Sequence, residues 1–255
     1  MLLTDTHTHI YYHADSPEMD LQVKRCLENE IGRLFLPNVD LQSIELINRT
    51  VSAYPDLFFP MLGLHPCSVK EDFESVLQEM KSKLDKSTVY AIGEIGLDLY
   101  WDRSTLPFQQ DAFRIQAQWA KGLGLPIVIH CRDAFDELFE LLDELKDDKL
   151  RGILHCFTGT LEQARRAIDL GFYLGIGGVV TYKNSGLDNV VKEIDLAHLV
   201  LETDAPYLSP VPFRGKPNES SYLRYVAQKV ADLHQVSIEE VATVTTHNSV
   251  TVFGV

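Results

Sequence analysis

Basic side chains are scarce: 23 Lys and Arg stand against 37 Asp and Glu in 255 residues, a formal net charge of −14. A protein that coats nucleic acid through many phosphate contacts is excluded, because such affinity comes from many Lys and Arg side chains. A phosphate substrate held locally is not, since charges beyond about 8–10 Å are largely screened at physiological ionic strength and bound divalent ions would dominate a site's own field. No run approaches the roughly 20 apolar residues of a membrane span, so no membrane partner is expected. The first residues lack a basic stretch followed by an apolar segment and cleavage site, which makes the cytoplasm the expected location. Only four cysteines occur, Cys26, Cys67, Cys131 and Cys156, with no CxxC pair. They are read as free, reduced thiols, not as a disulfide framework or structural zinc site. There is no GxGxxG loop after the first strand-like run, no fixed-period repeat and no linker. No obligate protein partner is evident.

What is present is alternation. Eight apolar runs recur, LLTDTHTH, RLFLPNV, FFPMLGLHP, VYAIGEIGLD, PIVIHC, RGILHCF, FYLGIGG and LVLETDAP. Between them lie segments such as MDLQVKRCLENEI, FESVLQEMKSKL, FQQDAFRIQAQWAKGLG and AFDELFELLDEL, with apolar residues at i, i+3 and i+4 spacing. Two helical stretches, YLRYVAQKVADLH and SIEEVATVTTHNSVTVF, end the chain. Strand and helix alternating is the pattern of parallel β/α units. A doubly wound sheet alternates too, but it would open on a glycine-rich dinucleotide loop where this chain has DTHTH. The count of eight and a length near the roughly 250 residues of a (β/α)8 barrel select an α/β, TIM-like (β/α)8 barrel, with distortion allowed, as one domain over residues 1–255.

Nearly every run ends in an imidazole, a carboxylate or an amide: His7 and His9, Asn38, His65, Glu94, His130, His155 and Asp204. In a closed parallel barrel those ends share one mouth. His7 and His9 lie two apart and face the same side, with Asp5 one layer deeper, placed to fix an imidazole or to touch an ion. Glu94, between glycines at the end of a buried strand, needs cationic partners and can bridge two ions with its two oxygens. Asp98 either orients this loop or caps a turn. A single histidine at a strand end is more often a satisfied core residue than a ligand; His130 and His155 together, beside HxH and Glu94, reverse that reading. Asp204, on the eighth run, falls next to His7 and His9 across the seam, and Glu202 beneath it reads as a partner to a ligand. Alternation sends Cys131 and Cys156 to the helix layer if His130 and His155 face the mouth. Arg132, Arg214 and Lys216 are candidate phosphate contacts, although basic loop residues are usually only solvated. His65 is placed to donate a hydrogen bond to substrate. Tyr100 and Trp101 could stack on an unpaired base or simply pack their loop.

DTHTH, GLHP, GEIGLD, IHCRDA, HCFTG, ETDAPYLSP and RGKPNE, in this order over almost the whole chain, resemble the TatD family of metal-dependent deoxyribonucleases. The resemblance implies metal ligands at His7, His9, Glu94, His130, His155 and Asp204, and cleavage of DNA, or RNA, from a 3′ end with a preference for single strands. Ser220 stands where the family usually has proline, and the first loop, IYYHADSPEMD, also departs; both changes are expected at the rim that sets substrate preference. The expected chemistry is hydrolysis by a hydroxide held between two divalent cations, one on His7, His9, Glu94 and Asp204, the other on Glu94, His130 and His155, with Asp204 as proton acceptor. The family is described as magnesium-dependent, yet four imidazoles favour zinc, manganese, iron, cobalt or nickel over magnesium in at least one position. Two rival readings remain open: ester or amide hydrolysis, such as aminoacyl-tRNA deacylation, and a non-catalytic binding protein with structural metals. Many related ester and amide hydrolases bridge their metals with a modified lysine on the fourth strand, and VYAIGEIGLD has no lysine. A structural site would be closed by its ligands, whereas the second ion has only three.

Overall fold

The computed structural model describes residues 2–85 and 88–255. The strands are β1 (Leu3–Asp5), β2 (Ile31–Leu36), β3 (Phe58–Pro60), β4 (Ile92–Asp98), β5 (Ile127–Arg132), β6 (Gly152–Leu154), β7 (Phe172–Ile176) and β8 (Leu199–Leu201). The helices are α1 (Glu18–Glu28), α2 (Leu41–Ala53), α3 (Phe73–Leu84), α4 (Leu106–Leu123), α5 (Phe135–Leu145), α6 (Leu161–Asp169), α7 (Leu187–Lys192), α8 (Leu223–His234) and α9 (Ile238–Phe253). All ladders are parallel and follow chain order, β1 to β3 in one sheet and β4 to β8 in another. Isolated bridges join the two sheets at both edges, Leu62 with Ile92 and Thr8 with Ala205. Backbone hydrogen bonds reinforce each seam, Gly93 N–H to Leu62 at 3.0 Å on one side and Thr6 N–H to Leu201 at 3.0 Å on the other. This is the TIM-like barrel of the sequence reading, and its distortion lies in those two seams.

Alternation along the strands sorts the core into two layers. Leu34, Leu36, Ile127, Ile129, Leu154, Leu174 and Leu199 face outward and pack with helix residues such as Leu138, Leu142 and Val230. Phe35, Met61, Val128, Ile153 and Val200 face inward and form a second cluster that Val252 and Phe253 of α9 complete. The Phe253 ring stacks on Phe35 with centroids 3.8 Å apart, so the last helix closes the interior opposite the site. Truncating such a buried aromatic to alanine costs about 3–5 kcal/mol. α5 shows the outer half of the bargain: Leu138, Phe139, Leu141, Leu142 and Leu145 are buried while its carboxylates keep to the outer face. Local signals set the helix ends. Asp40 and Ser43 cap α2 reciprocally, Thr160 and Gln163 do the same for α6, and α4 stops at Gly124 with φ +68°.

The inward apolar layer positions the chemistry. His130 and His155 come two residues after Val128 and Ile153, and Glu202 two after Val200, so all three stand one storey above it on the same side. No helix among the described residues is long and apolar enough to cross a membrane.

Candidate metal centre

Glu94 is 2 % exposed and sits where the β4–β5 register shifts, between Ile92 and Ile95. The glycine two residues on is required: at Gly96, with φ +150°, a Cβ would lie 1.9 Å from the His130 carbonyl oxygen. With no side chain there, β4 runs close against β5 and brings Glu94 to the histidines. Glu94 Oε2 is 3.1 Å from His7 Nε2 and 3.9 Å from His9 Nε2. Its Oε1 is 2.9 Å from His130 Nδ1, 3.2 Å from His155 Nε2 and 3.4 Å from His65 Nε2. Asp204 Oδ1 lies 3.4 Å from His9 Nε2 and 3.8 Å from His7 Nε2. The chain reaches that point through a left-handed residue, Asp204 itself at φ +54°.

The remaining hydrogen bonds decide which nitrogen each imidazole offers. His130 Nε2 meets Asp98 Oδ2 at 2.9 Å, and His155 Nδ1 meets Glu202 Oε1 at 3.1 Å. A carboxylate can only accept, so those nitrogens carry hydrogen, and the neutral rings turn lone pairs toward Glu94 Oε1. Lone pairs facing a carboxylate at 2.9 and 3.2 Å repel unless positive charge stands between them. His7 makes the same demand: both ring nitrogens are buried without a hydrogen-bond partner. Its ring stacks on His155 at 3.6 Å.

Protons answer part of the demand. Burial would push the Glu94 carboxyl up, but the imidazoles of His155, His65 and His7 and the His130 contact hold it well below the ordinary range. Burial would lower His155, yet Glu202 and Glu94 raise it well above its usual value, and His130 is raised in the same sense by Asp98 and Glu94. His7 moves the other way, lowered by burial and by His155. Ligand atoms fall into groups of three within 4.8 Å of one another: His7, His9 and Glu94; His7, His155 and Asp204; His65, Glu94 and His130. A donor set of imidazoles and carboxylates with unpartnered nitrogens fits divalent cations.

His65 differs from the others. Its Nδ1 accepts the Cys67 N–H at 3.1 Å, so in the neutral ring Nε2 bears the hydrogen and points a donor, not a lone pair, at Glu94.

The structure brings His7, His9, Glu94, His130, His155 and Asp204 together, with His65 beside them, and all of these but the fully buried His7 line a cavity of about 690 Å³. Arg132 and Trp101 line the same cavity, Trp101 being 72 % exposed. The Arg132 guanidinium lies 3.6 Å above the Tyr100 ring and 5.7 Å from that of Trp101, so the face of Tyr100 is covered while Trp101 is open. Arg214 and Lys216 are exposed and do not line the cavity; the Arg214 guanidinium rests on Tyr182 at 4.0 Å. Asp5 touches no imidazole. It accepts the backbone N–H of His7 at 3.3 Å and of Thr203 at 3.0 Å and the Thr203 hydroxyl at 2.6 Å, and burial pushes its carboxyl up to about 7 against these contacts. Asp98 caps the turn at Tyr100, one of the two roles considered for it, and in addition meets His130 Nε2, a contact the sequence did not suggest.

Of the two cysteines, Cys131 borders the cavity but packs against the outer apolar layer as alternation predicts, whereas Cys156 corrects the expectation and lines the mouth. β6 ends at Leu154 and Cys156 has φ +46°, so strand alternation no longer governs its side chain. Burial pushes the Cys131 thiol up to about 12 and Cys156 in the same direction, which disfavours the thiolate form. Ser220 is not at the rim either. It is buried and donates to Thr8 Oγ1 at 2.9 Å beneath the site. Sequence reasoning missed Tyr12 and Tyr207, which line the cavity beside His9. The available signal was an aromatic residue three positions past each of two candidate ligands, His9 and Asp204.

Residues 4–254 match the sequence profile of the family described as TatD related DNase. The uncharacterized metal-dependent hydrolase YabD of Bacillus subtilis (strain 168) is 38 % identical over 255 residues, covering 100 % of both chains. A 3′-5′ ssDNA/RNA exonuclease TatD of Pantoea ananatis (strain LMG 20103) is 30 % identical over 238 residues, covering 91 % of this chain and 92 % of its own. The crystal structure of YjjV, a TatD homologue from Escherichia coli K12, superposes with a TM-score of 0.93 at 30 % identity, covering 99 % of this chain and 98 % of that one.

Proposed function

The chain belongs to the TatD related DNase family of metal-dependent hydrolases, and from that premise we propose that it hydrolyses phosphodiester bonds of single-stranded DNA or RNA from the 3′ end. The observation that carries the reading is the division of Glu94: Oε2 faces His7 and His9, Oε1 faces His130 and His155. His7, His9, Glu94 and Asp204 would hold one cation, and Glu94, His130 and His155 the other. Two divalent cations there would lower the pKa of a water, polarise a phosphoryl oxygen and neutralise charge during in-line displacement. Asp204 would accept the proton released as water attacks phosphorus. His65 Nε2–H, aimed at the same point as the second ligand set, would donate to a phosphoryl oxygen. Among the described residues Arg132 supplies the cavity's one guanidinium, matching a single phosphate and not a long backbone track. The open face of Trp101 would stack on a base whatever its identity.

The name of the Pantoea relative supports a strand substrate and its polarity. The test is metal-loaded protein with 3′- and 5′-end-labelled single-stranded oligonucleotides, beside Glu94→Ala and chelator controls. Stepwise shortening from the 3′ end, abolished in both controls, is expected. Intact strands together with turnover of an aminoacyl ester would overturn the proposal.

A further inference from the structure

One carboxylate holds both the lip bearing Tyr100 and Trp101 and the ring of His130. Asp98 is 2 % exposed, and Gln109 fixes its backbone on both sides: Gln109 Oε1 accepts the Asp98 N–H at 2.8 Å and Gln109 Nε2 donates to the Asp98 carbonyl at 3.0 Å. From that fixed origin the two oxygens diverge. Oδ1 accepts the backbone N–H of Tyr100 at 3.0 Å and of Trp101 at 3.4 Å. Oδ2 accepts from His130 Nε2 at 2.9 Å, which turns Nδ1 toward Glu94. Arg132, two residues past His130 on β5, presses on the Tyr100 ring from above and completes the circuit.

We propose that Asp98 is a positioning residue that couples the base-stacking lip to the cation site at His130, so that loading the cation orders the lip. This rests on the proposed reading of the site, in which His130 is a ligand and Trp101 meets a base. The physical route is short. A cation on Nδ1 withdraws charge from the ring and makes Nε2–H a stronger donor, which fixes the Asp98 carboxylate in one rotamer. The Tyr100 and Trp101 amides hang from the other oxygen of that carboxylate. Coupling must then be reciprocal, and an ordered lip favours the cation by the same factor. An ordinary turn cap would satisfy the two amides equally well but would leave metal affinity untouched.

The experiment uses manganese(II) as the probe and metal-stripped protein. Manganese is titrated by calorimetry, and amide hydrogen exchange is followed in the peptide spanning residues 99–104. The wild type should bind two ions, and saturating manganese should slow exchange of the Tyr100 and Trp101 amides by about 5-fold or more, within the usual span of such couplings. Asp98→Asn keeps an acceptor for the lip but offers NH₂ to His130 Nε2, forcing the ring hydrogen onto Nδ1. One of the two ions should then bind about 10–100-fold more weakly, and manganese should no longer protect the lip. Asp98→Ser, which can still cap the turn but cannot reach His130, gives an independent check with the same expected outcome. Wild-type affinity for both ions in these variants, or lip exchange indifferent to manganese in the wild type, would overturn the coupling. Coupling without cleavage of any strand would overturn the nuclease reading instead, and cleavage without coupling leaves that reading standing.

Discussion

Gly175→Ala, a change of one methyl group outside the proposed ligand set, should weaken one of the two cation sites proposed above. A Cβ at Gly175 would lie 2.2 Å from Glu202 Oε2, 2.7 Å from its carboxyl carbon and 3.1 Å from Oε1. Ordinary carbon–oxygen contact needs about 1 Å more than the shortest of these. Glu202 is fully buried and cannot swing into solvent, and its Oε1 is committed to the Cys156 N–H and to His155 Nδ1 at 3.1 Å. A shift of about 1 Å stretches the His155 contact past hydrogen-bonding range. Losing a hydrogen bond to a charged group costs about 1.5–3 kcal/mol. Loss of a carboxylate that orients a metal-ligating histidine typically weakens the metal by about 10–100-fold, which is about 1.4–2.7 kcal/mol and the same size. Calorimetric titration of metal-stripped Gly175→Ala with manganese(II) should show one weakened site, the one on His155, and one unchanged. Gly177→Ala is the control. Its Cβ would stand 3.6 Å from the Glu202 carbonyl oxygen, an ordinary contact, and both sites should keep wild-type affinity. In a Glu202→Gln background the Gly175 change should add little, because the two act on one hydrogen bond. A folded Gly175→Ala protein with two wild-type sites would refute the claim that Glu202 holds His155 for metal.

Three further outcomes follow from the same geometry. Protein purified without added ions should carry zinc, manganese, iron, cobalt or nickel, and after stripping magnesium alone should restore only part of the activity; full recovery with magnesium would show that the imidazoles are not setting metal choice. Asp5, raised to about 7 from 3.8, favours the fold while protonated, so its contribution is complete below pH 3.8 and lost as pH rises through 7; Asp5→Asn should therefore gain about 2–3 kcal/mol on the metal-free wild type between pH 5 and pH 8 in urea unfolding, and a pH-independent difference would refute it. Trp101→Ala should raise KM for a single-stranded substrate by the equivalent of about 1–3 kcal/mol with kcat nearly unchanged, whereas an equal fall in kcat would place Trp101 in the reaction itself.

Much of the architecture could be read from the chain because period-two alternation survives through most strands. Val128 and His130, Ile153 and His155, Val200 and Glu202 share a face by arithmetic alone, and the structure stacks them in that order. The arithmetic fails where backbone leaves the strand. LLTDTHTH reads as one strand, but the ladder of β1 ends at Asp5, and beyond it the chain stays on the barrel through separate backbone bonds of Thr6, Thr8 and His9 and an isolated bridge from Thr8 to Ala205. Cys156 and Asp204 take positive φ, so one enters the mouth against expectation and the other arrives there by a turn. Arg214 and Lys216 were placed by nearness in sequence to the last strand, and a loop that folds Arg214 onto Tyr182 carries them away from the cavity.

A deeper part of the site was not legible for a different reason: a sequence names imidazoles but not their nitrogens. His65 and His130 look alike as strand-end histidines, and both approach Glu94 Oε1. What separates them is the partner on the far side of each ring. A backbone N–H from Cys67 makes His65 a donor toward Glu94, and the Asp98 carboxylate makes His130 an acceptor. Exchanging those partners would exchange the roles, with every ligand-like residue still in place. On the proposed reading the second cation site would be specified as much by Asp98, Glu202 and the Cys67 amide as by the histidines, and a homologous barrel keeping the histidines while losing both carboxylates should bind that cation weakly.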